Sequence, residues 1–140
     1  MDKQIYRLIN IFLLTGLLIL PVSGQTVPED LVKAIRDGNA NRMSGFFHQS
    51  LELTILEEDY VASKNQATRI MENFFKKHPP SGFTISFEGT KEKSRYAIGS
   101  LKSRDVSFRV NIFFLNKKNN TLIYYLSIEK ESSYELYPRP

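Results

Sequence analysis

Residues 63–80 run SKNQATRIMENFFKKHPP, and this stretch decides the fold. Ser63 and Gln66 stand three apart, the spacing at which a serine hydroxyl and a glutamine side chain each bond the other's backbone at a helix start. Ala67, Ile70, Met71, Phe74 and Phe75 then recur at helical spacing and make one apolar stripe. Pro79 and Pro80 end the hydrogen-bond ladder, and Lys76, Lys77 and His78 put positive charge where the helix dipole favours it. A helix with a single apolar face needs an apolar surface to cover it.

The segments that follow supply that surface by alternation. Phe83, Ile85 and Phe87 alternate with Thr84, Ser86 and Glu88, while Tyr96 and Ile98 are expected to face one way and Arg95 and Ala97 the other. Phe108, Val110, Ile112 and Phe114 oppose Ser107, Arg109 and Asn111, and Leu122, Tyr124, Leu126 and Ile128 oppose Ser127 and Glu129. Gly99 inside such a pattern marks a bulge or bend. The Asn-rich stretch 116–120 is short enough for a hairpin.

Upstream of the long helix, Pro28, acidic Glu29 and Asp30, apolar Leu31, Ala34 and Ile35 and a stop at Gly38 spell a short amphipathic helix. Asn39 suits the cap of a second one, with Ala40, Met43 and Phe47 on one face and Gly45 weakening its end. Leu51, Leu53 and Ile55 alternate with Glu52 and Thr54 as a half-buried strand. Glu57, Glu58 and Asp59 are expected to be a solvated turn, since the spaced oxygen ligands and glycine of a calcium loop are missing. The order is α-α-β-α-β-β-β-β, an α+β domain.

Size and composition narrow the function. The chain has 140 residues, 41% apolar and 24% charged, with a formal net charge of +4, which fits one folded domain. It has no Cys, which excludes a disulfide scaffold, a thiolate metal site and a cysteine nucleophile. Lys3 and Arg7, the apolar run Leu8–Leu20, Pro21 and the small residues Val22-Ser23-Gly24 follow signal-peptide grammar. Residues 1–24 are expected to be removed after Gly24, leaving a domain over 25–131, a tail over 132–140, and a periplasmic or secreted protein without a membrane span. His48 and His78 lie thirty positions apart without a recognised zinc spacing, so no metal site is expected. No cofactor is expected either.

The element order and the phrases Ala34-Ile35-Arg36-Asp37-Gly38-Asn39-Ala40, Phe46-Phe47, Gln66-Ala67 through Phe74-Phe75, Tyr96 through Leu101 and Phe108-Arg109-Val110 resemble the nuclear-transport-factor-two-like superfamily. Within it the chain is similar to small secreted bacterial proteins of unestablished function, over residues 27–131. The resemblance implies a strongly curved antiparallel sheet wrapped round the long helix, a cone whose interior can hold a ligand. It implies no single activity, because relatives include dehydratases, ketosteroid isomerases, polyketide cyclases and non-catalytic binding or dimerisation modules. The pocket it suggests has a rim near His48 and Tyr60 and is lined by Phe75, Tyr96, Phe108 and Tyr124. A base such as His48 with a tyrosine donor is what proton transfer there would need.

Two surface features complete the reading. Between residues 89 and 118, Lys91, Lys93, Arg95, Lys102, Arg104, Arg109, Lys117 and Lys118 face only Glu92 and Asp105, a basic segment suited to an anionic envelope partner or to a solvated sheet face. Nucleic acid is not an expected partner, because aromatics and bases do not interleave. Phe113, Ile123 and Tyr125 share one outer parity and form an apolar stripe expected to pair two copies. The leading expectation is an exported, non-catalytic binding or assembly module. Its partner is expected to be a second copy, with a small apolar ligand or an envelope component as further candidates; the alternatives are a small-molecule dehydratase- or isomerase-type enzyme with a pocket inside the cone, and an envelope adaptor using the basic strands.

Overall fold

The computed structural model describes residues 27–117 and 120–132, and residues 1–26, the expected signal peptide among them, and 133–140 lie outside it. Its elements follow as α1 (Glu29–Arg36), α2 (Ala40–Ser44), β1 (Phe47–Ile55), β2 (Glu58–Ser63), α3 (Lys64–Lys77), β3 (Gly82–Lys91), β4 (Ser94–Ser103), β5 (Val106–Lys117) and β6 (Asn120–Lys130). The strands form one curved, unclosed sheet in the order β2-β1-β6-β5-β4-β3. All neighbours are antiparallel except β1 and β6, which run parallel.

Helix α3 forms as its sequence dictates. The Gln66 N–H donates to Ser63 Oγ at 3.2 Å and the Ser63 N–H donates to Gln66 Oε1 at 3.0 Å, closing the capping box. Ala67, Met71, Phe74 and Phe75 are buried, and the Phe74 ring meets Phe108 of β5 edge-on at 5.4 Å. Helix α1 buries Leu31, Ala34 and Ile35. It stops at Gly38, whose φ of +64° is open to glycine at little cost, and Asn39 Oδ1 accepts from the Arg42 N–H at 3.0 Å to start α2.

Several details differ from the sequence reading. Helix α2 ends at Ser44, and Phe47 opens β1 instead of extending the helical face. Glu58 and Asp59 are the first residues of β2, a strand the sequence did not announce, and Asp59 Oδ1 accepts from Thr54 Oγ1 at 2.7 Å. On β4 Tyr96 and Ile98 share one face and Ala97 the other, as expected, but the facing is the reverse of what a Tyr96-lined pocket needs: Ala97, Gly99 and Leu101 are buried inward and Tyr96 and Ile98 point out. Steric room explains it, because a Cβ on Gly99 would lie 2.6 Å from the Phe83 ring.

Bulges account for the rest. The register of β3 shifts between Ile85 and Phe87, opposite Gly99 and Ile98, so Phe83 stays buried while Phe87 emerges on the outer face at 53% exposure. The β5–β6 register shifts between Phe113 and Phe114, where Tyr125 and Ile123 pair and Tyr124 is skipped. Ile123 therefore points inward with Leu126 and Ile128 and is fully buried. An extra residue flips parity and bends the strand.

The β1–β2 turn is two residues long, between the Ile55 and Glu58 pair. Leu56 and Glu57 adopt φ of +49° and +77°, the mirror-image turn that ordinarily selects Asn-Gly. A left-handed conformation costs a non-glycine residue about 1–2 kcal/mol. Glu57→Gly should accordingly raise unfolding stability by about 0.5–1 kcal/mol in urea melts; a loss of that size would show that the turn is built differently.

Candidate functional site

The concave face is filled by its own side chains. Met71 from α3, Leu101 from β4 and Phe108 from β5 are each fully buried, which leaves the interior to packed hydrocarbon. A cleft of about 240 Å³ opens instead at the edge of this core, between the β1–β2 hairpin and the last turns of α3. Ile55, Leu56, Ile70 and Phe74 give it apolar walls. Glu58, Tyr60, Asn73, Lys77 and His78 supply its polar groups.

Two of these groups are tied together. Glu58 and Tyr60 are two apart on β2 and so share a face, and the Tyr60 hydroxyl donates to Glu58 Oε2. That bond, then burial, then the carboxylate's charge hold the Tyr60 phenol above its usual range. His78 follows α3, its N–H bonded to the Phe74 carbonyl at 2.8 Å. Its ring lies 5.0 Å from Phe74 and 5.0 Å from Phe108, completing a three-ring cluster. Partial burial against these rings, with Lys130, Lys77 and Arg104 nearby, lowers the His78 pKa from the ordinary histidine value.

The residues expected around a pocket do not gather in one place. Tyr60 lines the cleft, and Phe108 stands behind it as part of the ring cluster. Phe75 is buried in the core, beside Gly38 and edge-on to Phe74 at 5.8 Å. His48 lies on β1 away from the cleft, with Nδ1 turned back to the Ser50 backbone at 2.9 Å. Tyr96 and Tyr124 belong to the outer face: Tyr96 stacks on Phe113 at 5.7 Å, and the Tyr124 hydroxyl donates to Ser94 Oγ at 3.2 Å. The reversal on β4 and the bulge at Tyr124 put them there.

That outer face is organised by register. Val61, Glu52, Tyr125, Phe113, Tyr96 and Gly89 lie side by side across all six strands. Phe113 meets Tyr125 edge-on at 5.5 Å, and Phe87 extends the row past Tyr96 at 5.8 Å. Tyr96 lies over Gly89, where a Cβ would approach its ring to 2.6 Å. Of the three stripe residues expected outside, Phe113 and Tyr125 are in this row and Ile123 is not. Lys118 of the basic segment lies outside the described residues, and the described basic residues do not form one patch. Lys91 and Lys93 flank the β3–β4 turn, whereas Lys102 and Arg104 flank the β4–β5 turn at the opposite end of β4.

Among the described residues, no three His, Asp or Glu side chains gather as a metal site, and no helix is long and apolar enough to cross a membrane. The sequence profile of a family described as a domain of unknown function, DUF4783, matches residues 28–129. The chain belongs to the DUF4783 family. A crystal structure of a DUF4783 protein from Bacteroides ovatus is 29% identical, covers 79% of this chain and 100% of its own, and superposes with a TM-score of 0.73. One from Bacteroides uniformis, also 29% identical, covers 77% and 100% with a TM-score of 0.71. An NTF2-like protein of unknown function from Shewanella baltica, 9% identical, covers 74% and 87% with a TM-score of 0.58 and shares the fold. This DUF4783 domain thus has the NTF2-like fold that its sequence resembles. Among curated proteins, none matches.

The lowered His78 pKa carries a consequence for stability. Below the unfolded value of about 6.5 the unfolded chain takes up a proton before the folded one does. His78 therefore costs stability as the pH falls from about 7.5 through 6.5 toward its folded pKa, and costs none above that range. His78→Phe should flatten the decline of the urea midpoint between about pH 7.5 and 5.5 relative to the parent; an unchanged slope would place a charged imidazole in the folded state.

Proposed function

We propose that this DUF4783 protein is an exported, non-catalytic assembly module that pairs with a second copy of itself through the outer face of its sheet. The observation that carries the reading is the cross-strand row on that face, with Val61 80% and Phe87 53% exposed at its two ends and the rings of Tyr125, Phe113 and Tyr96 in contact between them, Phe113 edge-on to Tyr125 and stacked on Tyr96. A contiguous aromatic surface of this kind is seldom left wet by a monomer.

Charge favours a copy of the same chain as the occupant. By strand alternation the outward positions near one edge carry Glu52 and Asp59, and those near the other carry Lys91 and Lys102. In the middle, Arg109 stands opposite Glu129. A two-fold axis running along the central strands lays the acidic edge of one copy on the basic edge of the other, an isologous contact complementary in sign. Lys91 is two residues from Gly89 in the row of Glu52, which makes Glu52 and Lys91 the nearest pair among the edge charges.

Other features point the same way. Proton-transfer enzymes need a carboxylate or histidine inside an apolar pocket, and here the interior positions hold Met71, Leu101 and Phe108. An adaptor for an anionic envelope partner is less favoured, because its cations are divided between two ends of the sheet. Export rests on Lys3, Arg7 and the run Leu8–Leu20 with its small-residue end, and places the assembly in the periplasm or outside the cell.

Sedimentation at about 10 μM protein should give the mass of a dimer, and Phe113→Glu should give a monomer with an unchanged circular dichroism spectrum. Glu52→Lys should weaken pairing about tenfold at low salt, and adding Lys91→Glu should restore it. A monomeric mass for the parent, or a double variant weaker than the single one, contradicts the reading.

A further inference from the structure

The cleft at the end of α3 has no part in the outer-face contact, and its chemistry is of a different kind. His78 is held on two sides by Phe74 and Phe108, both at 5.0 Å. Its imidazole makes no hydrogen bond among the described residues, and its nitrogens are not sealed in the core. A polar ring fixed by two phenyl rings, with its bonding capacity unused and an open cleft beside it, is a preorganised recognition group.

The charges facing that ring are of one sign. Lys77 comes from the last turn of α3, Arg104 from the β4–β5 turn and Lys130 from the end of β6. The carboxylate in the same cleft, Glu58, is on the opposite wall and accepts the Tyr60 hydroxyl. Lys77 lines the cleft beside the ring, whereas Arg104 and Lys130 lie near the imidazole outside the cleft's lining and add positive charge to its surroundings. Ile55, Leu56 and Ile70 complete an apolar floor.

We propose that this cleft binds a small carboxylate with an apolar body, the carboxylate lying against His78 and Lys77 and the body against Ile55, Leu56 and Ile70. Its volume of about 240 Å³ sets the size, since sites for drug-sized ligands begin at about 300 Å³. The carboxylate supplies the acceptor that the imidazole and Lys77 lack among the described residues, and the body covers the apolar wall of the cleft. A bound anion draws a proton onto His78, so binding and imidazole protonation strengthen one another. The proposal does not rest on self-association, and its outcome is independent of the oligomeric state.

Benzoate, the neutral isostere benzamide and acetate are the probes, titrated into the purified protein while the His78 ring proton on Cε1 is followed by NMR. Benzoate should shift that resonance saturably with a Kd near or below about 10 mM and raise the His78 pKa, with benzamide and acetate each at least about tenfold weaker. Lys77→Gln should weaken benzoate about threefold to tenfold, whereas Lys33→Gln, on α1, should leave it unchanged. His78→Phe keeps the ring cluster and removes the nitrogens; followed through the Tyr60 ring protons, it should lose the preference for benzoate over benzamide. Equal binding of benzamide and benzoate by the parent would overturn the proposal, as would a His78 resonance that benzoate leaves in place.

Discussion

The contact on which the rest of the molecule depends is the seating of α3 in the concave face of the sheet. Phe74, edge-on to Phe108 at 5.4 Å, links the helix to a strand far away in sequence. Such aromatic pairs contribute about 0.5–1.5 kcal/mol beyond the area they bury. Ala67, Met71 and Phe75 extend the seam along the helix. On β4 it is the neighbouring strand that demands a small residue on the concave side. Gly99 leaves room for the Phe83 ring.

Filling the inside dictates what happens outside. A strand has two faces, and when small residues are drawn to the tight concave side, Tyr96 and Ile98 are left on the convex one. The bulges near Phe87 and at Tyr124 reset parity where a continuous alternation would have sent Ile123 outward. The same extra residues bend the strands round the helix. An aromatic outer row is thus the counterpart of a packed interior, and the cleft beside His78 is what remains uncovered where the helix ends before the hairpin does.

Most of the fold was legible because its signals are local. Ser63 with Gln66, Asn39, Gly38 and the two prolines act within a turn or two, and each does in the structure what its chemistry predicts. The alternation of Phe108 through Phe114 was equally plain. Strand β2 was hidden for a physical reason: its turn uses Leu56 and Glu57 in left-handed conformations, where the readable signal would be Asn-Gly, and its acidic start looked like solvent-exposed loop. Facing on β4 and β6 depended on bulges and on the Phe83 ring, which are tertiary facts. The site followed these errors. Unbroken alternation points Tyr96 and Tyr124 inward, and position at the helix end makes His78 a dipole charge, although it lies four residues after Phe74, on the same side of the helix. Once β2 is recognised, Glu58 and Tyr60 fall together by simple alternation.

Membership in DUF4783 and the NTF2-like fold establish an architecture, and the residues at its surfaces carry the functional argument. Both the outer row and the cleft presuppose that α3 is fixed on the sheet by its aromatic seam. A double-mutant cycle on Phe74→Leu and Phe108→Leu, read by urea denaturation, measures that fixation most directly. The account predicts a coupling free energy of about 0.5–1.5 kcal/mol between the two rings. Strictly additive losses would mean that the helix and the concave face do not meet as described.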